Sequence, residues 1–397
     1  MKFSARTAWD HRDSALTRAV NATRAERPGE LTDLTLSNPT RCGFSYDETA
    51  ILGALNVPLA MDYDPDPMGI QSARVAVAAY YQDHGASVGA KQVLLTTSTS
   101  EAYSFLFRLL CDAGDAVCAA QPSYPLFDFI ADLDDVTLIA YPLFEDYGWW
   151  IDFAELERRI TERTRAILLV HPNNPTGHAV TSAERLRLEA LCCQRGMALI
   201  VDEVFLDYKL TAAQIQSFAC GPHPCLTFVI SGLSKIAALP QMKVGWLAAF
   251  GPEPARSEAL SRLEVIADTF LSMNSPAQQA LPTWLTLRRP MQEQIVERVR
   301  GNLLRLEQQF DVIAVEAGWS AIVRLRRDQV GGLGGEELAA ALVEQAGLLV
   351  HPGVFFGLTA TNQIVVSLIV PVGEFAAGCG KLKQWCEANE LTADSDG

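Results

Sequence analysis

Between residues 91 and 250, short and almost wholly apolar runs alternate with longer segments of helical character. Runs this short and this apolar are typical of strands that are covered on both faces of a sheet. Their alternation with helices favours an α/β domain built around a largely parallel sheet. The predicted strands are 93–96, 116–120, 166–170, 198–201, 226–230 and 244–250.

One of the intervening helices carries its own start and stop signals. Thr181 is followed three residues later by Glu184, which is the pattern of a capping box, and Gly196 stands where a helix commonly ends. The sequence therefore predicts a helix between strands 166–170 and 198–201.

After residue 290 the pattern changes. A long charged helix (291–309) leads to an apolar segment (320–325), a glycine-rich loop (331–335) and a helix that runs to residue 344. We interpret this part as a smaller α+β domain. The predicted division is an N-terminal segment 1–45 that packs with the small domain, a large domain 46–290 and a small domain 291–397.

Charge and cysteine usage exclude several classes of protein. A formal net charge of −15 makes a nucleic-acid partner improbable, because neutralising phosphates needs clustered Lys and Arg. We see no secretory signal in residues 1–20 and no apolar run long enough for a membrane span. The nine cysteines are irregularly spaced, which argues against a disulfide framework and against a metal site. The expected location is the cytoplasm.

Polar residues follow three successive predicted strands. Asn174 lies in the turn HPNNPTG (171–177), which follows strand 166–170. Asp202 directly follows strand 198–201, and Lys235 follows strand 226–230 in SGLSK. Alone, each has an ordinary explanation: a turn, a helix N-cap or strand-end salt bridge, and a surface lysine. Ligands bind at the carboxyl ends of parallel strands, so the three side chains are expected to meet there.

An amine, a carboxylate and an amide donor are together what a pyridoxal ring requires. The amine forms a Schiff base, the carboxylate keeps the pyridine nitrogen protonated, and the amide contacts the phenolic oxygen. A lysine among small residues can also be partly desolvated, which lowers its pKa and makes it nucleophilic.

At these residues the chain resembles the class I/II aminotransferases, which are aspartate-aminotransferase-like enzymes dependent on pyridoxal 5′-phosphate (PLP). The resemblance implies PLP fold type I, with a mostly parallel seven-stranded sheet in the large domain and a small α+β domain. It also implies that Lys235 is the catalytic Schiff-base lysine, that Asp202 pairs with the pyridine nitrogen, and that Asn174 contacts the ring oxygen.

The resemblance extends to the phosphate and to the ring face. Ser98, Thr99 and Ser100 match the family's phosphate loop at a helix N-terminus, where backbone N–H groups hold anions, although a serine- and threonine-rich N-cap would look the same. Ser234 is a further expected phosphate contact. Two tyrosines complete the expected cofactor site: Tyr124 stacks on the ring, and Tyr63 reaches the partner's phosphate in a homodimer.

Three positions depart from the family pattern around the cofactor. Lys243 stands where an arginine usually chelates the phosphate, and it supplies charge without a bidentate fork. Phe205 replaces a tyrosine that would donate to the ring oxygen, a loss of about 0.5–1.5 kcal/mol if nothing compensates. Gly232 replaces a common Ser or Thr.

The fourth departure concerns the substrate. Val365 stands where the family has the arginine that binds the substrate carboxylate. Arg324 is one candidate substitute, although an outward-facing charge on a strand is the simpler interpretation. The turn that contains Asn38, with the nearby Arg41, offers further substrate-binding candidates.

The leading hypothesis is an aminotransferase acting between an amino acid or amine and an oxo acid. A lyase, decarboxylase, cyclase or replacement enzyme is the alternative on the same fold, because one scaffold hosts many reactions and the carboxylate arginine is missing. A PLP-sensing transcription factor is disfavoured by the acidic charge and by the short segment before Leu31.

Overall fold

The computed structural model describes residues 1–212 and 214–393, apart from the side chains of residues 391–393. The strands in chain order are β1 Thr32–Asp33, β2 Val93–Thr96, β3 Ala116–Gln121, β4 Thr137–Glu145, β5 Trp149–Ile151, β6 Thr164–Val170, β7 Ala198–Asp202, β8 Thr227–Gly232, β9 Gly245–Phe250, β10 Asp311–Val312, β11 Ser320–Arg324, β12 Leu348–Leu349, β13 His351–Pro352 and β14 Gln363–Ser367. The helices are α1 Ala15–Glu26, α2 Glu48–Gly53, α3 Gln71–Asp83, α4 Thr99–Leu110, α5 Phe127–Leu133, α6 Phe153–Arg159, α7 Ser182–Arg195, α8 Leu233–Ile236, α9 Ala255–Phe270, α10 Ser275–Thr286, α11 Arg288–Glu307, α12 Gly335–Ala346 and α13 Val372–Ala393.

In the described part of the chain, the larger sheet has eight strands in the order β2-β9-β8-β7-β6-β3-β4-β5. Its centre, from β4 through β3, β6 and β7 to β8, is parallel, whereas β9 runs antiparallel to both β2 and β8. The expected mostly parallel α/β architecture is therefore confirmed. The expected count of seven strands is wrong by one, because β5 adds an antiparallel edge strand to β4.

The core lies on both faces of this sheet. In β3, Val117 and Ala119 pack into the hydrophobic cluster on one face, while Cys118 and Ala120 pack into the cluster on the other. Coverage on both sides is the reason that the central strands read as continuous apolar runs.

Helix α7 begins and ends at the predicted residues. The hydroxyl of Thr181 accepts from the backbone N–H of Glu184, and the Glu184 carboxylate accepts from the Thr181 N–H at 2.8 Å. Gly196 closes the helix in the left-handed conformation, with φ at 64°. These interactions fix the connection between β6 and β7, whose C-terminal ends carry predicted site residues.

The C-terminal part forms a separate antiparallel sheet, which in the described residues has the order β10-β11-β14-β13. The N-terminal segment packs on the same body: α1 contacts α12, and β1 pairs in parallel with β12. One face of this small sheet contributes Ala321, Val323 and Ile364 to the core of this body, while Ile322 and Val365 face the large sheet. The small sheet therefore closes over one side of the large domain.

Among the described residues, no helix combines the length and the apolar character that a membrane crossing requires. The nine cysteines all lie in the described part of the chain, and none forms a disulfide.

Candidate active site

The carboxyl ends of β6, β7 and β8 lie side by side, because these three strands are parallel neighbours. Asn174, Asp202 and Lys235 follow these ends and line one cavity of about 490 Å³. That volume lies within the range of small-molecule sites. The other predicted cofactor residues that line the same cavity are Ser98, Thr99, Ser100, Tyr124, Phe205, Ser234 and Lys243.

Asp202 is buried at the floor of this cavity, and its carboxylate is held from two sides. The hydroxyl of Tyr103 donates to Oδ2 at 2.7 Å, and the backbone N–H of Val204 donates to Oδ1 at 3.0 Å. Burial raises the pKa of Asp202 to about 6, although these hydrogen bonds and the charge of Lys235 offset part of the effect. A rigid carboxylate that is still ionised at neutral pH suits a cationic ring N–H.

The next residue, Glu203, belongs to the opposite face of the sheet. It is fully buried and accepts hydrogen bonds from the Ser217 hydroxyl at 2.7 Å and from the Phe218 N–H at 2.5 Å. Burial raises the pKa of Glu203 to about 7. Of the two adjacent acids, only Asp202 lines the cavity, because successive side chains at a strand end point to opposite faces.

The amine of Lys235 is enclosed by aromatic rings. Its Nζ lies 4.9 Å from the ring centroid of Trp319 and 5.7 Å from that of Phe205. Burial lowers the pKa of Lys235 to about 8, with the charge of Asp202 acting in the opposite direction. A sizeable fraction of this amine is therefore neutral near pH 8, as a nucleophile or a base requires.

The turn after β6 is fixed by its own hydrogen bonds. The Val180 N–H donates to His171 Nδ1 at 3.1 Å, so the other ring nitrogen, Nε2, carries the proton and donates to the Gln216 carbonyl. Burial lowers the pKa of His171 to about 3, which makes it a neutral structural residue. Asn174 Oδ1 accepts from the Ser320 hydroxyl at 3.2 Å, which leaves the amide N–H groups of Asn174 as the donors for a ligand oxygen.

At the other side of the cavity, helix α4 begins with an ordered cap. The Ser98 hydroxyl accepts from the Glu101 N–H at 3.2 Å, and the Glu101 carboxylate accepts from the Thr97 N–H at 2.7 Å. A Cβ atom at Gly245 would lie 2.8 Å from the carbonyl carbon of Ser98, so glycine lets β9 approach the loop closely. The helix N-terminus and the nearby Lys243 together form a positive cradle for an anion.

Phe205 and Gly232, two of the departures from the family pattern, have clear surroundings. The ring of Phe205 packs edge-on against Trp319 with centroids 5.6 Å apart. Tyr208, the tyrosine that follows in the chain, donates its hydroxyl to the Lys235 carbonyl and does not replace the missing donor. A Cβ at Gly232 would lie 2.9 Å from the Val244 carbonyl oxygen, so this strand pairing requires glycine.

Three predicted site residues lie outside the cavity lining. Tyr63 is 81% exposed and belongs to a separate surface depression formed with residues 60–67. Asn38 uses its carboxamide oxygen to cap its own turn, accepting from the N–H and hydroxyl of Thr40. Arg324 is engaged by two carboxylates, with its Nη2 atom 2.6 Å from Glu145 Oε2.

Several lining residues were given no role at the site from the sequence, among them Tyr103, Trp319 and His351. Tyr103 stands one helical turn after Thr99, so its position on the cavity side of α4 was available from the helical period. Trp319 directly precedes a predicted strand, but no local pattern connects it with Lys235 across 84 residues of chain. His351 joins the site only through the pairing of β13 with β14.

These residues fit PLP. The cavity has an anion cradle at one end, a fixed carboxylate on its floor, an amide donor at its side and an enclosed lysine amine. The cradle suits the phosphate of the cofactor and the carboxylate suits its pyridine nitrogen. The amide donor suits the phenolic oxygen, and the amine suits the aldehyde carbon. Fold and site together define an enzyme of the PLP-dependent transferase type.

Comparison with known proteins leads to the family. The family model described as "Aminotransferase class I and II" matches residues 64–369. The glutamate-pyruvate aminotransferase AlaA of Escherichia coli K12 is 28% identical over 267 residues, which is 66% of either chain. The alanine aminotransferase of Mycobacterium bovis is 33% identical over 266 residues, or 66% of this chain and 62% of the relative. The chain thus aligns with somewhat under two thirds of the length of these relatives.

Solved structures share the fold over almost the whole chain. An alanine aminotransferase from Pyrococcus furiosus superposes with a TM-score of 0.86 at 20% identity, covering 98% of this chain and 100% of its own. An aspartate aminotransferase variant from Thermus thermophilus gives a TM-score of 0.82 at 23% identity, covering 97% and 100%.

The chain belongs to the class I and II aminotransferases, which are PLP-dependent enzymes. The predicted family is therefore confirmed. Nothing in these comparisons favours the lyase, decarboxylase, cyclase or replacement alternative.

Proposed function

We propose that this chain transfers an amino group between an amino substrate and an oxo acid, with Lys235 as the residue that holds PLP and moves the proton. The observation that carries the proposal is the convergence of Asn174, Asp202 and Lys235 in one cavity. When bound, PLP supplies an electron sink for the bond that breaks at the amino carbon.

Each polar residue of the cavity has a distinct role in this proposal. Lys235 Nζ, neutral in part because of its lowered pKa, accepts the proton from the amino carbon of the substrate and returns it after the bond rearrangement. Asp202, fixed by Tyr103 and by the Val204 N–H, holds a proton on the pyridine nitrogen. Asn174 donates to the phenolic oxygen.

The phosphate contacts follow from the cradle at the start of α4. The backbone N–H groups of Thr99 and Ser100, the hydroxyls of Ser98 and Ser234 and the ammonium of Lys243 would hold the phosphate, and Tyr124 would cover one face of the ring. Phe205 would pack beside the ring without a hydrogen bond.

The proposal includes a homodimer that works in the cytoplasm. Leu59, Met61 and Tyr63 form an exposed and largely apolar surface around the depression at residues 60–67, and a second copy of the chain would cover it. Tyr63 would then reach the phosphate of the partner subunit. The nine unpaired cysteines fit a reducing compartment.

The first test is where PLP becomes attached. Borohydride reduction of the PLP-loaded protein, followed by peptide mass spectrometry, is expected to place the label on Lys235. Lys235→Ala should abolish the label, whereas the matched control Lys243→Ala should keep it and need more PLP. A label on Lys243 or another lysine would overturn the assignment.

A second test separates transamination from the alternative PLP reactions. With a single amino donor and no oxo acid, a transaminase accumulates pyridoxamine phosphate in amounts that match the enzyme. A lyase or decarboxylase releases product repeatedly without converting its cofactor. Repeated turnover with one substrate would contradict the proposal.

A further inference from the structure

The described residues of the small sheet that line the cavity carry no fixed charge. Val365 and Ser367 lie two residues apart on β14 and therefore point to the same face. Ser320, on the neighbouring β11, pairs with Ser367. On its other side, Val365 is the register partner of His351 in β13. Side chains of directly paired residues lie on the same face, so these four residues form one wall, and each of them lines the cavity.

His351 is the one titratable side chain of this wall. Its ring packs edge-on against Phe356 at 5.6 Å. Burial lowers the pKa of His351, and the backbone carbonyl of Thr35 and the charge of Asp33 only partly offset this. The lowered pKa favours the neutral form of this ring over a cation.

No arginine among the described residues that line the cavity supplies a positive charge beside this wall. Arg324 lies two residues beyond Ile322 on β11, but its guanidinium is bound by Glu145 across the domains and by Asp311. Arg41 is exposed and outside the lining. Among the described residues that line the cavity, the cationic side chains are Lys235 and Lys243, which belong to the cofactor end.

The wall and the adjacent Trp319 offer neutral hydrogen-bonding groups. Within the described part of the chain, Trp319 Nε1 and Ser367 Oγ are buried without a hydrogen-bond partner, and both residues line the cavity. A carboxylate beside this wall would lose its hydration and gain no opposite charge, which is costly. An alcohol or carboxamide would meet neutral donors and acceptors at a much smaller desolvation penalty.

We propose that the amino substrate carries an uncharged polar group, an alcohol or a carboxamide, at the position where an α-amino acid carries its carboxylate. This inference rests on the proposed function and names its substrate class. Val365 is the residue that determines this preference, because it lies in the wall between its register partner His351 and Ser367, two residues further along β14.

Unreactive ligands test the proposal without depending on turnover. 3-Phenylpropanoate and 3-phenylpropanamide have nearly the same shape and no amino group, so calorimetry on the PLP-loaded protein measures binding alone. The amide is expected to bind about tenfold or more tightly than the acid, as for a charge buried without a partner. Equal affinity, tighter binding of the acid or no binding of the amide overturns the proposal.

Val365→Arg should reverse the order, because a guanidinium on this wall binds a carboxylate through two hydrogen bonds. Val365→Met is the matched control that adds length without charge, and it should keep the preference for the amide. An unchanged preference in a folded Val365→Arg protein also overturns the proposal. Should the buried arginine prevent folding, the comparison in the unchanged protein decides alone.

Failure of this inference is distinguishable from failure of the proposed function. If PLP labels Lys235 and an amino acid converts the cofactor, while the acid binds more tightly than the amide, only the substrate class is wrong. If PLP does not label Lys235, the proposed function itself is wrong.

Discussion

At the scale of single residues, the site depends on two side chains whose pKa values move toward each other. Burial raises the pKa of Asp202 to about 6 and lowers that of Lys235 to about 8. Each shift lowers the stability of the folded protein at pH 7, because burial disfavours the charged form that the isolated side chain prefers at this pH. In the proposed function, an ionised acid and a partly neutral amine are what the reaction needs, which accounts for the loss of stability.

Tyr103 offers a test of this balance. The folded pKa of Asp202 is above the unfolded value, so its contribution favours the folded state at low pH and is lost as pH rises through about 6. The Tyr103 hydroxyl offsets that loss by donating to the ionised carboxylate. Tyr103→Phe is expected to destabilise the PLP-free protein by about 1.5–3 kcal/mol at pH 8 and by about 1 kcal/mol at pH 5. Urea unfolding at both pH values measures the difference.

Tyr141→Phe is the control for this experiment. Tyr141 is equally buried, but its hydroxyl donates to the Leu168 backbone carbonyl at 3.4 Å and not to an acid. Its removal should cost the same at pH 5 and pH 8. An identical pH response of the two variants would show that the Tyr103 hydroxyl does not stabilise the ionised form of Asp202.

Sequence reasoning found the residues that end strands and missed those that join the site through tertiary contacts. Asn174, Asp202 and Lys235 were predictable because neighbouring parallel strands bring their carboxyl ends together. Trp319 and His351 were not, because their positions depend on how the small sheet closes over the large one. The surroundings of Arg324 were likewise invisible in sequence, since its partner Glu145 lies on β4.

At the scale of elements, the buried strands were predicted and the partly exposed edge was not. Strands β6 and β7 are buried almost throughout, so their apolar runs are clear. Strand β4 is exposed or only half-buried at most of its positions, and β5 is a short hairpin partner. Strand β4 contains Pro142, which argues against a strand inside a sheet, and β5 has only three residues, so neither gives a clear strand signal in the sequence.

A buried ion pair connects the turn after β6 to the chain that enters β11. His178 Nε2 lies 3.4 Å from Glu184 Oε1 at the start of α7, and Nδ1 lies 3.7 Å from Glu316 Oε2. Burial lowers the pKa of His178, but the two carboxylates outweigh it and the net shift is upward. Burial acts to raise the pKa of Glu184, but His178 and the backbone N–H groups of Thr181 and Ile151 outweigh it and lower this pKa to about 2. This pair helps to fix the turn that carries Asn174.

The pH dependence of this pair follows from the directions of the shifts. With a raised folded pKa, charged His178 contributes stability that is complete below its unfolded pKa of about 6.5 and is lost as pH rises through the folded value. We expect His178→Gln to destabilise the protein by about 3 kcal/mol at pH 6 and by clearly less at pH 9. Urea unfolding across this range measures the change.

His223→Gln is the matched control. Burial lowers the pKa of His223, whose ring stacks on Phe250. Its neutral form is the one that the fold favours, so its contribution is lost as pH falls through its folded pKa, the opposite direction to His178. If both variants lose stability with the same pH profile, the ion pair of His178 is not the cause.

At the scale of the whole molecule, residues of both the large sheet and the small sheet line the cavity. In our proposal, a second chain also contributes to the site. The large sheet supplies Asn174, Asp202 and Lys235, where our proposal places the cofactor, and the small sheet supplies the wall of Ser320, His351, Val365 and Ser367. Tyr63 lines neither part of this cavity, because it lies in an exposed depression on the surface of the same chain. Only assembly with a second copy would give it the role that the family resemblance implies.

Subunit mixing tests this role directly. Tyr63→Ala alone should weaken PLP binding by about tenfold through loss of a hydrogen bond to an anion, and Lys235→Ala alone should be inactive. In a hybrid dimer of the two variants, one site carries both changes, while the other combines an intact Lys235 with an intact Tyr63 from the partner subunit. Random reassociation at equal amounts should therefore restore about a quarter of the normal sites. Activity and PLP retention are measured before and after mixing. If Tyr63 served its own subunit, every site in every dimer would keep one of the two changes, and mixing would restore nothing.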